Sequence, residues 1–255
     1  MRNKLAETLQ KKGISDRRVI NAVKKIPRHL FMDSSFEDHA YQDKAFPIAA
    51  SQTISQPYTV AFQTELLEIK RGAKILEIGT GSGYQAAILA ELAARVITME
   101  RVPALSYTAE AFLDSLGYHG RVTVHLSGET LGYPQEAPFQ AILVTAATPK
   151  IPQALLEQLA PEGQMVIPVP NGEVRVYPIP NPDGGYSRGN TVTLGAYPET
   201  AGSEISWGGV DTGMDAIATL KMDRDRDVVV VLNPGLAQTA STPVPPTIPW
   251  PTAIL

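Results

Sequence analysis

The 255-residue sequence contains no cysteine, which removes disulfides, thiolate metal sites and cysteine nucleophiles from consideration. That absence leaves the redox compartment open, and a reducing cytoplasm is the expected setting for a chain without an export signal. Long apolar runs are also missing. No window approaches the roughly 20 residues needed to cross a bilayer. The basic N-terminus, MRNKLAETLQKKGISDRRVINAVKKIPRHLF, lacks the continuous apolar core of a signal peptide. Positive charge is in deficit: 22 Lys and Arg stand against 26 Asp and Glu, so there is no broad positive field for nucleic acid. Only four histidines occur, and their spacing matches no metal-ligand pattern, so no metal site is expected. These absences point to a soluble intracellular protein, and a chain of this length buries a sizeable core without staples.

What is present is a pattern of alternating elements. Leu5 and Leu9, then Val19, Ile20, Val23 and Ile26, recur at helical spacing on either side of Gly13, which predicts two amphipathic helices, the second capped by Ser15 or Asp16. Residues 27 to 57 mix polarity with scattered Pro, Asp and Gln and read as irregular structure, the kind of segment that carries binding loops. From residue 59 the chain alternates: TVAFQTELLEI helix, AKILEIG strand, YQAAILAELAA helix, RVITME strand, PALSYTAEAFLDSLG helix, RVTVHLS strand, FQAILVTAA strand, IPQALLEQLA helix and QMVIPVP strand. Strands separated by helices form right-handed crossovers and hence a parallel sheet, so the expected fold is an α/β, Rossmann-like, doubly wound and mostly parallel sheet. Beyond residue 170 the sequence turns to Gly, Pro, Asn and Ser, with β-type runs at 173–179 and 190–194 that predict hairpins. DAIATLKM reads as a short helix, DVVVVLN as a strand, and the Pro-rich tail from about residue 239 as extended or disordered. The expected organisation is N-terminal helices and a substrate or cofactor loop over 1–58, a Rossmann-like domain over 59–200, and a C-terminal extension over 201–255.

The chemistry concentrates in ILEIGTGSGYQAAILA, where Gly79, Gly81 and Gly83 lie between a strand and a helix. Glycines there allow a tight turn and close approach of a ligand to the main chain, next to the unpaired N–H groups that open a helix. An ordinary tight turn would use the same residues, but Glu100 ends the next strand about 20 residues on, where a carboxylate accepts hydrogen bonds from both hydroxyls of a ribose. Glu77 adds a carboxylate expected at the mouth of the loop, which disfavours a pyrophosphate and favours a cationic or zwitterionic ligand such as S-adenosyl-L-methionine. A nicotinamide dehydrogenase is therefore a distant alternative.

With these motifs in view, GTGSGYQAA, SQTISQPYTVAFQTELL before it and LGYPQEAPFQAILVTAATPKIPQALLEQLAPEGQMVIPV after it resemble the protein-L-isoaspartate O-methyltransferases, as do IPRHLF at 26–31 and AYQDKAFPI at 40–48. The resemblance covers roughly residues 1–170. It implies a class I S-adenosylmethionine-dependent methyltransferase fold and transfer of a methyl group to the α-carboxyl of isoaspartyl residues in damaged proteins or peptides, with monomeric or weakly homo-oligomeric habit. It assigns Ser55 to the place beside the reacting carboxylate, and Thr53 and Ile54 to the methyl donor, with Tyr58 at its border. A carboxylate is already ionised at neutral pH, its reference pKa being about 4, so no general base is needed and a neutral hydroxyl-bearing loop suffices. His29 and His39 are accordingly read as structural or solvent-facing. Asp43 matches a family position near the substrate loop, with a purely structural role as the alternative. Val144–Ala147 offers small residues that leave space for a ligand or simply pack closely.

The sequence departs from the family at several points. The family's Gly-Asp-Gly run, whose acid accepts from the adenine amino group, is Ser127, Gly128 and Glu129 here, which leaves Glu129 as the candidate replacement beside Gly128. Gln140, Glu162 and Gln164 replace residues expected around the next two strands, and Ala49 and Ser51 stand where glycines often flank the Gln-Thr-Ile-Ser run. LGAYPETAG, 194–202, is only a faint counterpart of the family's terminal strand. Two competing readings follow: a relative that binds cofactor or peptide without turnover, and a methyltransferase for aspartate in a dedicated peptide.

Overall fold

The computed structural model describes residues 1–146, 151–169, 172–178, 191–198, 204–208, 212–214, 217–221 and 229–233. The Pro-rich tail, Ala147 and residues 199–202 of LGAYPETAG lie outside them.

The N-terminal pair forms as the periodicity requires: α1 (Arg2–Lys11) buries Leu5, Ala6 and Leu9, and α2 (Arg17–Lys25) buries Val19, Ile20, Ala22 and Val23. Asp16 is the cap of α2, its side chain accepting the Arg18 N–H at 2.7 Å. Short 3-10 turns at Arg28–Phe31 and Ser34–His39 lead to a small hairpin, β1 (Phe46–Pro47) antiparallel to β2 (Thr53–Ile54). Then come α3 (Pro57–Leu66), β3 (Lys74–Ile78), α4 (Tyr84–Leu92), β4 (Arg95–Glu100), α5 (Pro103–Ser115), β5 (Val122–Leu126), β6 (Phe139–Val144), α6 (Gln153–Leu156) and β7 (Leu159–Val169). Pro57 and Pro103 each open a helix, where a missing N–H costs nothing.

Further strands follow as β8 (Gly172–Pro178), β9 (Thr191–Pro198), β10 (Glu204–Gly208), β11 (Thr212–Met214), β12 (Ile217–Lys221) and β13 (Val229–Asn233). One sheet runs β11-β12-β9-β8-β7-β6-β3-β4-β5, parallel from β7 through β5 and antiparallel from β7 outward to β11; β10 and β13 pair separately. The order reverses between β3 and β6, so a crevice opens beyond the carboxyl end of β3, where doubly wound sheets bind ligands.

Ile75, Val96, Ala141 and Leu143 pack on one face against α2, α3 and α4, while Leu76, Ile97, Ile142 and Met165 pack on the other against α6. Each fully buried Leu or Ile of this kind contributes roughly 1.5–3 kcal/mol.

Three expectations are corrected. The helix read over IPQALLEQLA stops at Leu156, because Gln158 turns its side chain back onto the main chain, donating to Ala154 O at 2.7 Å and Leu131 O at 2.9 Å. The strand accordingly begins at Leu159, five residues before QMVIPVP. DAIATLKM is a strand at Ile217–Lys221, since its residues pair in antiparallel register with Thr191–Gly195 on one side and Thr212–Met214 on the other. The run read over 190–194 extends to Pro198.

Candidate active site at the glycine loop

The loop after β3 is a backbone cradle. Gly79, Gly81 and Gly83 have φ of 101°, 55° and 86°, in the left-handed region that glycine enters without strain. Gly79 N–H donates to Met99 O at 2.8 Å, which ties the loop to β4, and Gly83 N–H donates to Thr80 O at 2.9 Å before α4 begins. A side chain at Gly79 would collide with the Thr145 hydroxyl, which bonds Ile78 O and Gly79 O at 2.9 Å each. Gly81 is the point of contact with the hairpin: a Cβ there would meet Ile48 Cδ1 at 3.6 Å. The fold thus brings the segment preceding Thr53, Ile54 and Ser55 against the glycine loop.

Glu100 is 5% exposed at the end of β4, with one oxygen accepting the Gly81 N–H at 2.8 Å and the other the Val102 N–H at 2.9 Å. A carboxylate offers about four acceptor positions, so two remain for the vicinal hydroxyls of a ribose. The Ser127 N–H donates to Glu100 O at 2.7 Å, which sets Ser127, Gly128 and Glu129 directly beside that end of β4. Gly128 and Glu129 are exposed, and nothing lies within 4 Å of a Cβ built on Gly128. The cradle, Glu100 and the open 127–129 loop lie at the carboxyl ends of β3, β4 and β5, and together they fit an adenosyl ligand.

The expectation for Glu77 is corrected. It is 0% exposed and sits inside the sheet, opposite Thr98 and Leu143 and on the same face as Ile75, instead of at the loop mouth. The Thr98 hydroxyl donates to one Glu77 oxygen at 2.5 Å and shares a 2.7 Å hydrogen bond with the Thr80 hydroxyl, while the other Glu77 oxygen has no partner among the described residues. Burial pushes the carboxyl up to about 8, against the Thr98 bond and with the nearby Glu100 charge adding to it. Glu77 is therefore a neutral acid at pH 7, and its attraction for a cationic ligand falls away.

On the hairpin side, Thr53 is exposed, Ser55 and Gln56 are half-buried, and the Ser55 hydroxyl bonds no other described residue. The Ile54 side chain is 4% exposed and belongs to the hydrophobic core, so what it presents to the crevice is main chain. The turn between β1 and β2 places Ala50 and Ser51 at φ 56°, a left-handed pair that glycines would adopt more easily. His29 bonds the Tyr41 hydroxyl at 2.6 Å, and His39 lies against Phe46. Gln140 accepts the Lys74 N–H at 2.8 Å at the opposite end of the sheet.

Sequence reasoning missed Thr80, Thr98 and Ile48, whose contacts across neighbouring strands have no local pattern. Thr145 lies in the Val144–Ala147 stretch read as leaving space for a ligand, and its bonds to Ile78 O and Gly79 O instead tie that stretch to the glycine loop.

Comparison with known proteins follows the same segments. Residues 1–192 match the family described as protein-L-isoaspartate(D-aspartate) O-methyltransferase. A protein-L-isoaspartate O-methyltransferase of Christiangramia forsetii is 58% identical over 168 residues, 66% of this chain and 78% of the relative. That of Syntrophobacter fumaroxidans is 56% identical over 169 residues, again 66% and 78%. A solved protein-L-isoaspartate O-methyltransferase superposes with TM-score 0.67 at 25% identity, covering 78% of this chain and 64% of its own. A Plasmodium falciparum structure described as that enzyme in complex with S-adenosyl-L-homocysteine gives TM-score 0.59 at 20% identity, over 86% and 93% of the two chains.

Proposed function

Because this chain belongs to the protein-L-isoaspartate(D-aspartate) O-methyltransferase family, we infer that it transfers a methyl group from S-adenosyl-L-methionine to the α-carboxyl of isoaspartyl residues in damaged proteins and peptides. The observation that carries the reading is that the family match spans both the TISQP hairpin and the GTGSG loop, which Ile48 and Gly81 bring together. S-adenosyl-L-methionine supplies a methyl carbon on a sulfonium, which an ionised carboxylate attacks without a base. The task left to the protein is alignment and exclusion of water.

In this proposal the main chain of Gly79, Gly81 and Gly83 receives the donor, Glu100 holds its ribose, and Gly128 and Glu129 border its adenine. Thr53 and the main chain of Ile54 flank the methyl group, and Glu77 supports the loop from beneath. Ser55, its hydroxyl uncommitted, holds the acceptor carboxylate without a charge that would quench its nucleophilicity. The proposed division of the chain assigns 1–58 to the acceptor side, 59–200 to the donor domain and 201–255 to an extension, supported by a family match that ends at residue 192. A cytoplasmic setting and independence from nucleic acid belong to the same proposal, supported by the composition, and a monomeric or weakly oligomeric state is what the family resemblance implies. Among the described residues no helix is long and apolar enough to cross a membrane.

The test is Ser55→Ala. It should lower kcat/KM for an isoaspartyl peptide by about tenfold or more, as loss of an acceptor-holding hydrogen bond does, with affinity for S-adenosyl-L-homocysteine unchanged. Full activity would remove Ser55 from the mechanism. One observation favours the second reading, a relative that binds without turnover: the acid expected at position 128 is absent, and Glu129 points to solvent with no partner among the described residues.

A further inference from the structure

The Ser55–Gln56 corner is held at both ends by one segment, residues 43–47. At its entry, Phe46 and Pro47 pair with Ile54 and Thr53 as a two-residue ladder. At its exit, α3 begins with Gln56 as N-cap, yet no side chain of that cap bonds the helix. The orphan N–H of Tyr58 is taken instead by Asp43, fifteen residues away, whose Oδ1 accepts it at 2.7 Å. A carboxylate is the favoured acceptor there, because the helix N-terminus carries partial positive charge.

Asp43 is itself held fast. Lys12 Nζ lies 2.5 Å from its second oxygen and 5.2 Å from the Tyr58 ring centroid, so one lysine spans both partners of the bond. The Asp43 side chain is 9% exposed. Next to it in the chain, Lys44 O receives a long 3.4 Å contact from Arg28, which is 0% exposed and stacks on Tyr84 at 4.8 Å. Tyr84 is the first residue of α4, next to Gly83 of the donor loop. Arg28 thus reaches from the backbone beside Asp43 to the helix that follows the glycine loop.

We propose that Asp43 is a positioning residue for methyl transfer: bonded to the Tyr58 N–H and braced by Lys12, it fixes the corner that presents Ser55 to the glycine loop. The proposal rests on the reading of the site as a carboxyl methyltransferase. It predicts a loss confined to alignment, since nothing in the bracing touches Glu100 or the glycine main chain.

The experiment compares wild type, Asp43→Ala and Asp43→Asn by kcat and KM for an isoaspartyl peptide, affinity for S-adenosyl-L-homocysteine by calorimetry, and amide exchange at Tyr58. Asp43→Ala should lower kcat about tenfold to a hundredfold, the effect expected of a small misplacement, while S-adenosyl-L-homocysteine affinity stays within about twofold and the Tyr58 amide loses protection. Asp43→Asn keeps an acceptor oxygen, so it should stay within about threefold of wild-type kcat with that amide protected. An active wild type whose Asp43→Ala variant transfers methyl equally fast overturns the proposal alone, as does equal loss of rate and ligand affinity. An inactive wild type overturns the function reading and this proposal with it. Should Asp43→Ala not fold, Asp43→Asn decides: a loss of about tenfold or more with the Tyr58 amide still protected overturns the proposal.

Discussion

Replacing Glu77 by Gln should remove a pH-dependent destabilisation from the ligand-free protein. Glu77 is 0% exposed, one of its oxygens has no partner among the described residues, and burial is the leading cause that raises its carboxyl from 4.5 to about 8. In the unfolded chain the same carboxyl ionises near its ordinary value. Between pH 4.5 and about 8 the folded chain therefore holds a proton that the unfolded chain has released, and stability falls as pH rises through that window. Below the window Glu77 is neutral in both states; above it, the burden is complete. At 1.36 kcal/mol per pH unit, the interval from 4.5 to pH 7 amounts to about 3 kcal/mol, an upper limit because water and side-chain movement relax a buried anion. Glutamine has the same shape and does not titrate, and its carbonyl can still accept the Thr98 hydroxyl. Urea unfolding followed by circular dichroism from about pH 5 to pH 8 should give a stability difference, variant minus wild type, that grows with pH. A difference independent of pH, or one that shrinks as pH rises, would refute the argument that Glu77 is folded as a neutral acid.

Gly79→Ala forces a side chain into the Thr145 hydroxyl at a left-handed φ; it should destabilise by about 2–4 kcal/mol and abolish measurable S-adenosyl-L-homocysteine binding in calorimetry. Ser51→Gly relieves one of two adjacent left-handed residues in the hairpin turn and should raise unfolding free energy by about 1 kcal/mol in urea titration. Gly128→Asp restores the acid that the family resemblance places beside adenine, at a position with open space for a side chain. A charge-assisted hydrogen bond of about 1.5–3 kcal/mol would tighten S-adenosyl-L-homocysteine binding roughly tenfold to a hundredfold.

What could be read from sequence was what depends on local pattern. Helical spacing located α1 and α2, the alternation of helical segments with short apolar runs located α3 to α5 and β3 to β6, and Gly79, Gly81 and Gly83 located the cradle, because left-handed backbone leaves a compositional mark. Glu100 was legible through its distance from the glycines. Glu77 was not, since only register with Thr98 and Leu143 shows that it points into the core instead of the crevice. Asp43 as the distant acceptor for Tyr58 was invisible for the same reason, as was Gln158, whose bonds to Ala154, Leu131 and Tyr133 end a helix that propensity alone would extend. DAIATLKM shows the other failure: a short segment of mixed propensity takes the state its strand neighbours impose.

The central claim is most directly tested by transfer of labelled methyl from S-adenosyl-L-methionine to an isoaspartyl peptide, run beside the matched aspartyl peptide with the wild-type chain. The account predicts base-labile label on the isoaspartyl peptide and none on its aspartyl twin. Label on neither peptide, with S-adenosyl-L-homocysteine still bound, would contradict it and leave a protein that keeps the cradle without the chemistry.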